Sequence, residues 1–439
     1  MPDSPEAARG GARSDSELVR AIGLRQLTAS IVNVTIGAGI FVLPASAAMS
    51  LGAAAPAAYL VCAVAMALVV SSFALAGSRV SVTGGIYAYV EAAFGPFAGV
   101  LAGVLQYMVL WFTAASLLSA FADQVSLLVP GVGTGVLRGG IIMLTVYLLA
   151  FVNVRGVKPG ARLIEAVTLT KLLPLALLVG VGVFSIDPAR LAWPGWPGGD
   201  ALGSTVLLLI FAFAGIEVAL VPSGEVRDPE RTVPRAIALA LVVTTFLYLA
   251  IQAVAQGVLG DELKQEASAP LAATAARLFG EGGRVLVLLG AMVSMFGYLS
   301  GDMLASPRSI FAFGRDALLP RVFASVHPRF RTPFLAIGLH ALLISALAVT
   351  GTFTRLALLS NVGVLTLYFL GCAAALRFVW RPAAADSAGL HLPGERIIPI
   401  AAMAVVLWIL AHATSRELLV LAGTLAAATL LYLLRRARM

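Results

Sequence analysis

The chain has 439 residues, of which 60% are hydrophobic and 12% charged, against about 45–50% apolar and about 25% charged in soluble domains. That balance excludes a soluble enzyme or binding module and identifies an integral membrane protein. The net charge of +8 calls for no nucleic-acid partner, because the basic residues gather in connections between apolar runs, as they do on cytoplasmic loops.

Residues 1–23 hold no apolar run and read as a cytoplasmic N-terminal arm, with no cleaved signal peptide expected. Runs of roughly 17–25 apolar residues then predict an all-α polytopic membrane protein with twelve transmembrane helices. The first six are Leu27–Ser50, Ala53–Gly77, Phe97–Val129, Leu137–Val154, Ala161–Ser185 and Ala201–Ser223. The second six are Ala236–Leu259, Gly283–Phe313, Phe334–Thr350, Leu356–Val379, Ile397–Ala413 and Leu418–Leu434. Spans three and eight are longer than a perpendicular crossing needs, which predicts tilt or extension beyond the bilayer. With alternate connections assigned to opposite sides, 21 Lys and Arg fall on one side and 7 on the other. Both termini are therefore expected in the cytoplasm. Cys62 and Cys372 each lie within an apolar run and suggest packing rather than a disulfide or metal site.

Span one carries Gly37-Ala38-Gly39 in the middle of the apolar stretch Ile31 to Pro44. Each glycine costs about 0.5–1 kcal/mol relative to alanine inside a helix, so the stretch reads as two half-helices. Unwound backbone cannot be satisfied by lipid and must be buried in protein or line a wet cavity. Close helix packing through small residues is the alternative use of such glycines. Span six repeats the pattern: Gly215 and Glu217 stand near its middle and Pro222 near its end. Two broken spans five apart predict a 5+5 inverted repeat with a site between the halves near the midplane.

Few charges lie deep in the apolar runs. Lys171 stands ~16 Å and Asp302 ~18 Å, by helix rise, from the cytoplasmic ends of spans five and eight, depths similar enough for a direct or water-bridged pair. A buried intramembrane cation is a functional hypothesis by default, with snorkelling of a long side chain as the alternative. Glu217 either titrates or caps the second half-helix of span six, since a carboxylate favours a helix N-terminus. Glu165, Arg308 and Asp123 lie near span ends, and His327, His340, His391 and His412 are too dispersed for a metal site. No cofactor is called for.

Several stretches, in register with these spans, resemble the amino acid–polyamine–organocation permeases, which share the fold of the bacterial leucine transporter. They are IGAGIFVLP (Ile36 to Pro44), GGIYAYVEAAFGPFAG (Gly84 to Gly99), FAFAGIEVA (Phe211 to Ala219), SGEVRDPERTVPRAI (Ser223 to Ile237) and GRDALLPRVFASVHPRFRTP (Gly314 to Pro333). The resemblance implies a transporter core over residues 24–381 and, over 382–439, two peripheral helices and a cytoplasmic tail. It further implies a secondary active amino acid transporter of the cell's inner membrane, working by alternating access without sodium and driven by protons or exchange. By the family's motif, Gly37, Ala38 and Gly39 take the substrate carboxylate at a helix N-terminus, and carbonyls of Thr35, Phe211 and Ala214 take its amine. Phe211 falls where the family often places an aromatic lid. Lys171 matches a lysine that replaces sodium in sodium-independent relatives, and Glu217 an acid implicated in proton sensing. Asp302 is a third coupling candidate without a family counterpart. Arginine-exchanging relatives place an asparagine where this chain has Ala114, which favours a neutral or apolar amino acid over a cationic one. A polyamine carrier is the alternative; a channel or membrane enzyme fits less well, because polar groups concentrate at the two breaks rather than in a stripe or a catalytic cluster.

Overall fold

The computed structural model describes residues 23–79, 85–156, 161–216, 226–380 and 394–438. The N-terminal arm up to residue 22 and Glu217 lie outside the described residues, as does the side chain of Glu165. Among the described residues the regular elements are all helical. In chain order, α1 (Leu24–Thr35) is followed by a 3-10 turn (Ala38–Phe41), α2 (Leu43–Leu51), α3 (Ala55–Gly77), α4 (Ile86–Phe94), α5 (Pro96–Leu128), α6 (Gly135–Val154) and α7 (Ala161–Gly182). There follow α8 (Gly199–Phe213), α9 (Pro229–Leu259), α10 (Pro270–Ala305), α11 (Pro307–Arg315), α12 (Phe334–Thr350), α13 (Phe353–Trp380), α14 (Ile397–Leu410) and α15 (Ser415–Arg438).

Proline and glycine set these boundaries. Pro96, Pro229, Pro270 and Pro307 open α5, α9, α10 and α11, where the missing N–H is no loss. Gly95, at φ 91°, turns the chain sharply between α4 and α5 in a backbone region that glycine enters freely. The long eighth span resolves into pieces: Gly280 (φ 69°, ψ −161°) interrupts α10 near its start, and Pro307 ends it.

Seven of the described helical stretches are long and apolar enough to cross a membrane, and four shorter apolar helices accompany them. Large apolar side chains point outward along several helices, among them Leu144 on α6, Phe246 on α9 and Leu419 on α15. An apolar outer surface is what a bilayer requires. The molecule is a multi-pass membrane protein.

Inside, two small clusters accompany two large apolar cores. One joins α1, α2, α3, α8 and α9 and extends to α13 and α14. The other joins α5, α6, α12 and the later part of α10. Small residues let helices approach closely between them. A methyl group on Gly290 of α10 would lie 2.8 Å from Pro174 Cγ of α7, so this contact depends on the absence of a side chain.

Candidate functional site

The site begins where α1 stops. In a continuous helix the Gly37 N–H would donate to the Asn33 carbonyl, but it turns to Thr35 O at 2.7 Å. Lys171 of α7 fills the place so left: its Nζ donates to Asn33 O at 2.6 Å. Lys171 is 8% exposed, so its ammonium is held inside the protein rather than snorkelled to an interface. The chain then resumes as the 3-10 turn at Ala38 and as α2, opened by Leu43 and Pro44. Gly37, Ala38 and Gly39 thus stand at the start of the second half, where N–H groups lack intrahelical partners, although that of Gly37 is on Thr35 O.

Opposite, α8 ends at Phe213. Ala214 leaves the helix at φ −62°, ψ 142°, and Gly215 takes φ 109°, a conformation open to glycine and strained for other residues. The two breaks touch. A methyl group on Gly215 would meet Val34 Cγ1 at 3.2 Å, and one on Gly39 would meet Phe211 Cδ1 at 3.0 Å. Phe211 is half-buried and packs edge-on against Phe353 of α13, ring centroids 5.4 Å apart. Thr35, Gly37, Ala38, Gly39, Phe211 and Ala214 are therefore assembled from two distant segments at one place.

Residues not singled out in the sequence hold this arrangement. The Tyr248 hydroxyl of α9 lies 2.9 Å from Thr35 O and 2.8 Å from Ala212 O, so one hydroxyl bridges the C-terminal ends of α1 and α8. Gln252 Nε2 donates to Pro44 O at 3.3 Å and Gln256 Nε2 to Gly52 O at 2.5 Å. Asn361 Nδ2 of α13 donates to Leu207 O and Leu208 O at 2.7 and 3.0 Å. Tyr248, Gln252 and Gln256 recur every four residues, a polar stripe on one face of α9. That spacing was the available signal in span seven. The Thr35 carbonyl, expected to meet a substrate amine, already accepts from Gly37 N–H and Tyr248, and any further donor must share it.

Asp302 and Lys171 have different partners. Asp302 Oδ2 lies 2.8 Å from His340 Nε2 of α12, and Ser306 Oγ donates to Oδ1 at 2.5 Å. His340 Nδ1 lies 3.0 Å from Tyr107 Oη of α5. His340 showed no clustered partner in the sequence because its neighbours come from two other helices, α10 and α5. Asp123, near the end of α5, pairs with Arg138 of α6 at 2.8 Å. Among the described residues no cluster of His, Cys, Asp and Glu could hold a metal.

Comparison with known proteins bears on what such a paired break does. The amino acid permease family profile matches residues 22–422. An uncharacterized transporter of Mycobacterium tuberculosis is 35% identical over 368 residues, 82% of this chain and 80% of that protein. The serine/threonine exchanger SteT of Bacillus subtilis is 29% identical over 74% of this chain and 75% of its own length. The branched-chain amino acid permease BcaP of the same species is 26% identical over 90% of this chain and 87% of its own length. With a profile match across nearly its whole length, the chain belongs to the amino acid permease family, whose members are membrane transporters and not enzymes.

Proposed function

We propose that this protein carries a neutral amino acid across the cell membrane by alternating access, without sodium, as a proton symporter or an exchanger. In this reading residues 24–381 form the transport core as a 5+5 inverted repeat within twelve spans, α14 and α15 are peripheral, and both termini are cytoplasmic. The zwitterion is held at both ends. Its carboxylate meets the N–H groups of Gly37, Ala38 and Gly39, aided by the positive end of the half-helix, and its amine meets carbonyls near Thr35, Phe211 and Ala214. The Phe211 ring closes over it. The relatives support an amino acid as the substrate, since two of them are named for serine/threonine and branched-chain amino acids, while the preference for a neutral one rests on Ala114.

The observation that carries sodium independence is the Lys171 ammonium on Asn33 O, 2.6 Å away. A fixed cation there satisfies the carbonyl that helix unwinding exposes, so no metal ion need bind. Glu217, two residues after Gly215 in the sequence, is the acid proposed to respond to protons. The test is uptake into proteoliposomes with sodium replaced by potassium or choline, competed by compounds with and without an α-carboxylate. Sodium-independent uptake blocked only by α-amino acids is expected. A strict sodium requirement, or equal competition by amines lacking the carboxylate, would overturn the reading.

A further inference from the structure

Away from the two breaks, in the second core, four polar side chains form a closed chain: Ser306, Asp302, His340 and Tyr107. His340 is 0% and Asp302 5% exposed, and every link is within hydrogen-bond distance. Among the described residues no Lys or Arg pairs with Asp302. Among the described side chains, the following charged and titratable groups on elements packed against α10 are engaged elsewhere or exposed. Lys171 of α7 is on Asn33 O, and Asp123 of α5 pairs with Arg138 of α6. Arg315 of α11 pairs with Asp316, and Arg308 is exposed. Tyr248 of α9 is on Thr35 O and Ala212 O, and α12 presents only His340.

An ionised carboxylate so enclosed, facing a neutral imidazole, would leave a net negative charge in an apolar core, and charge there is costly unless neutralised. The chain of bonds offers the remedy without moving a heavy atom. In the unprotonated form Nε2–H donates to Asp302, the Tyr107 O–H donates to Nδ1, and the Ser306 O–H donates to the second carboxylate oxygen. One added proton on Nδ1 makes an imidazolium that donates from both nitrogens, to Asp302 and to a Tyr107 hydroxyl turned to accept. Both forms keep the histidine bonded at both nitrogens, and the second has no net charge.

We propose that Asp302, His340 and Tyr107 form a proton-binding site on the α5–α10–α12 side of the molecule, separate from the broken helices. A cavity of about 740 Å³, walled in part by Gly103, Gln106, Leu110, Ala305, Ser309 and Phe313, lies beside it. Tyr107 adjoins that wall: its ring meets Phe313 edge-on, ring centroids 6.3 Å apart, while its hydroxyl is on His340. Use of that proton in transport rests on the function proposed above; its binding does not.

The test is an infrared difference titration of the full chain in lipid nanodiscs, without substrate, from about pH 5 to about pH 9, the range in which a histidine changes charge. The wild type should show a histidine and carboxylate signal that is lost in His340→Gln and Asp302→Asn and displaced in Tyr107→Phe. Identical titrations in wild type and His340→Gln would overturn the proposal. The conservative Tyr107→Phe variant keeps it exposed to failure should the other two not fold, since an unmoved signal there removes Tyr107 from the site. Because no substrate is present, a protein that carries something other than an amino acid would still give the signal. An amino acid carrier without it would sink this inference alone. In proteoliposomes, a pH dependence of uptake approaching tenfold per unit, the limit for one bound proton, should flatten to under about twofold in Asp302→Asn, and an unchanged profile would count against a role in transport.

Discussion

The two polar regions of this membrane protein are built from different materials. At the breaks, the groups that matter are backbone N–H and C=O freed by unwinding, positioned by Tyr248, Gln252 and Lys171 from neighbouring helices. In the Asp302–His340–Tyr107 cluster the helices carrying the residues are intact there, and the polarity is all in side chains. Backbone groups stay neutral at any pH and suit a zwitterion, whereas a carboxylate beside an imidazole can gain or lose a proton. Under the two proposals above, the backbone region holds the substrate and the side-chain cluster adds a proton site besides Glu217.

The largest effect that would break this comparison is expected at Gly39. A methyl group there already lies 3.0 Å from Phe211 Cδ1 and 3.5 Å from Ala212 Cα, so Gly39→Leu must push the broken helices apart and cover the N–H groups. Substrate binding should fall by at least about 100-fold, ~2.8 kcal/mol, while the protein still inserts. Radioligand binding at wild-type affinity would show that the substrate sits elsewhere.

Lys171→Ala comes next. It leaves Asn33 O without its partner, and an unmet buried acceptor costs about 1–3 kcal/mol. Uptake in sodium-free proteoliposomes should drop by roughly tenfold or more on that scale, with no substrate contact removed. Full activity in the mutant would mean that the ammonium is ornamental to the break.

Tyr248→Phe sharpens the picture of one hydroxyl tying both ends together. Losing a single O–H between two carbonyls should slow transport by about fivefold to tenfold, the effect of one net hydrogen bond. An unchanged rate, measured with substrate saturating, would transfer the positioning role to Gln252 and Asn361. The smallest effect is expected for Phe211→Ala. Phe211 rests on Phe353, and removing a half-buried ring should weaken binding only several-fold, by about 1 kcal/mol for the lost aromatic contact. Unaltered KM and kcat would remove it from the lid position.

Much of the first region was legible in the chain, and little of the second. Gly37-Ala38-Gly39 and Gly215 announce unwound backbone because glycine in a membrane helix is a local anomaly, and Lys171 stands out because a cation in an apolar run is costly. Asp302 was conspicuous for the same reason, but pairing by depth pointed it at Lys171. Depth along a helix axis says nothing of the direction in which a side chain leaves it. Asp302 faces α12 and Lys171 faces α1.

By itself the sequence determined that the protein lies in a membrane, that it is helical, and that the first span is interrupted at Gly37-Ala38-Gly39, since each depends on hydropathy and glycine acting within a short stretch of the chain. Only the tertiary structure decided that one tyrosine serves both breaks, that the Thr35 carbonyl is shared before any substrate arrives, and that His340 joins Asp302 from 38 residues away and Tyr107 from 233. Such pairings depend on the rotation of each helix about its own axis. That rotation is settled by packing against several neighbours at once, through contacts such as Gly290 on Pro174 that no single segment encodes.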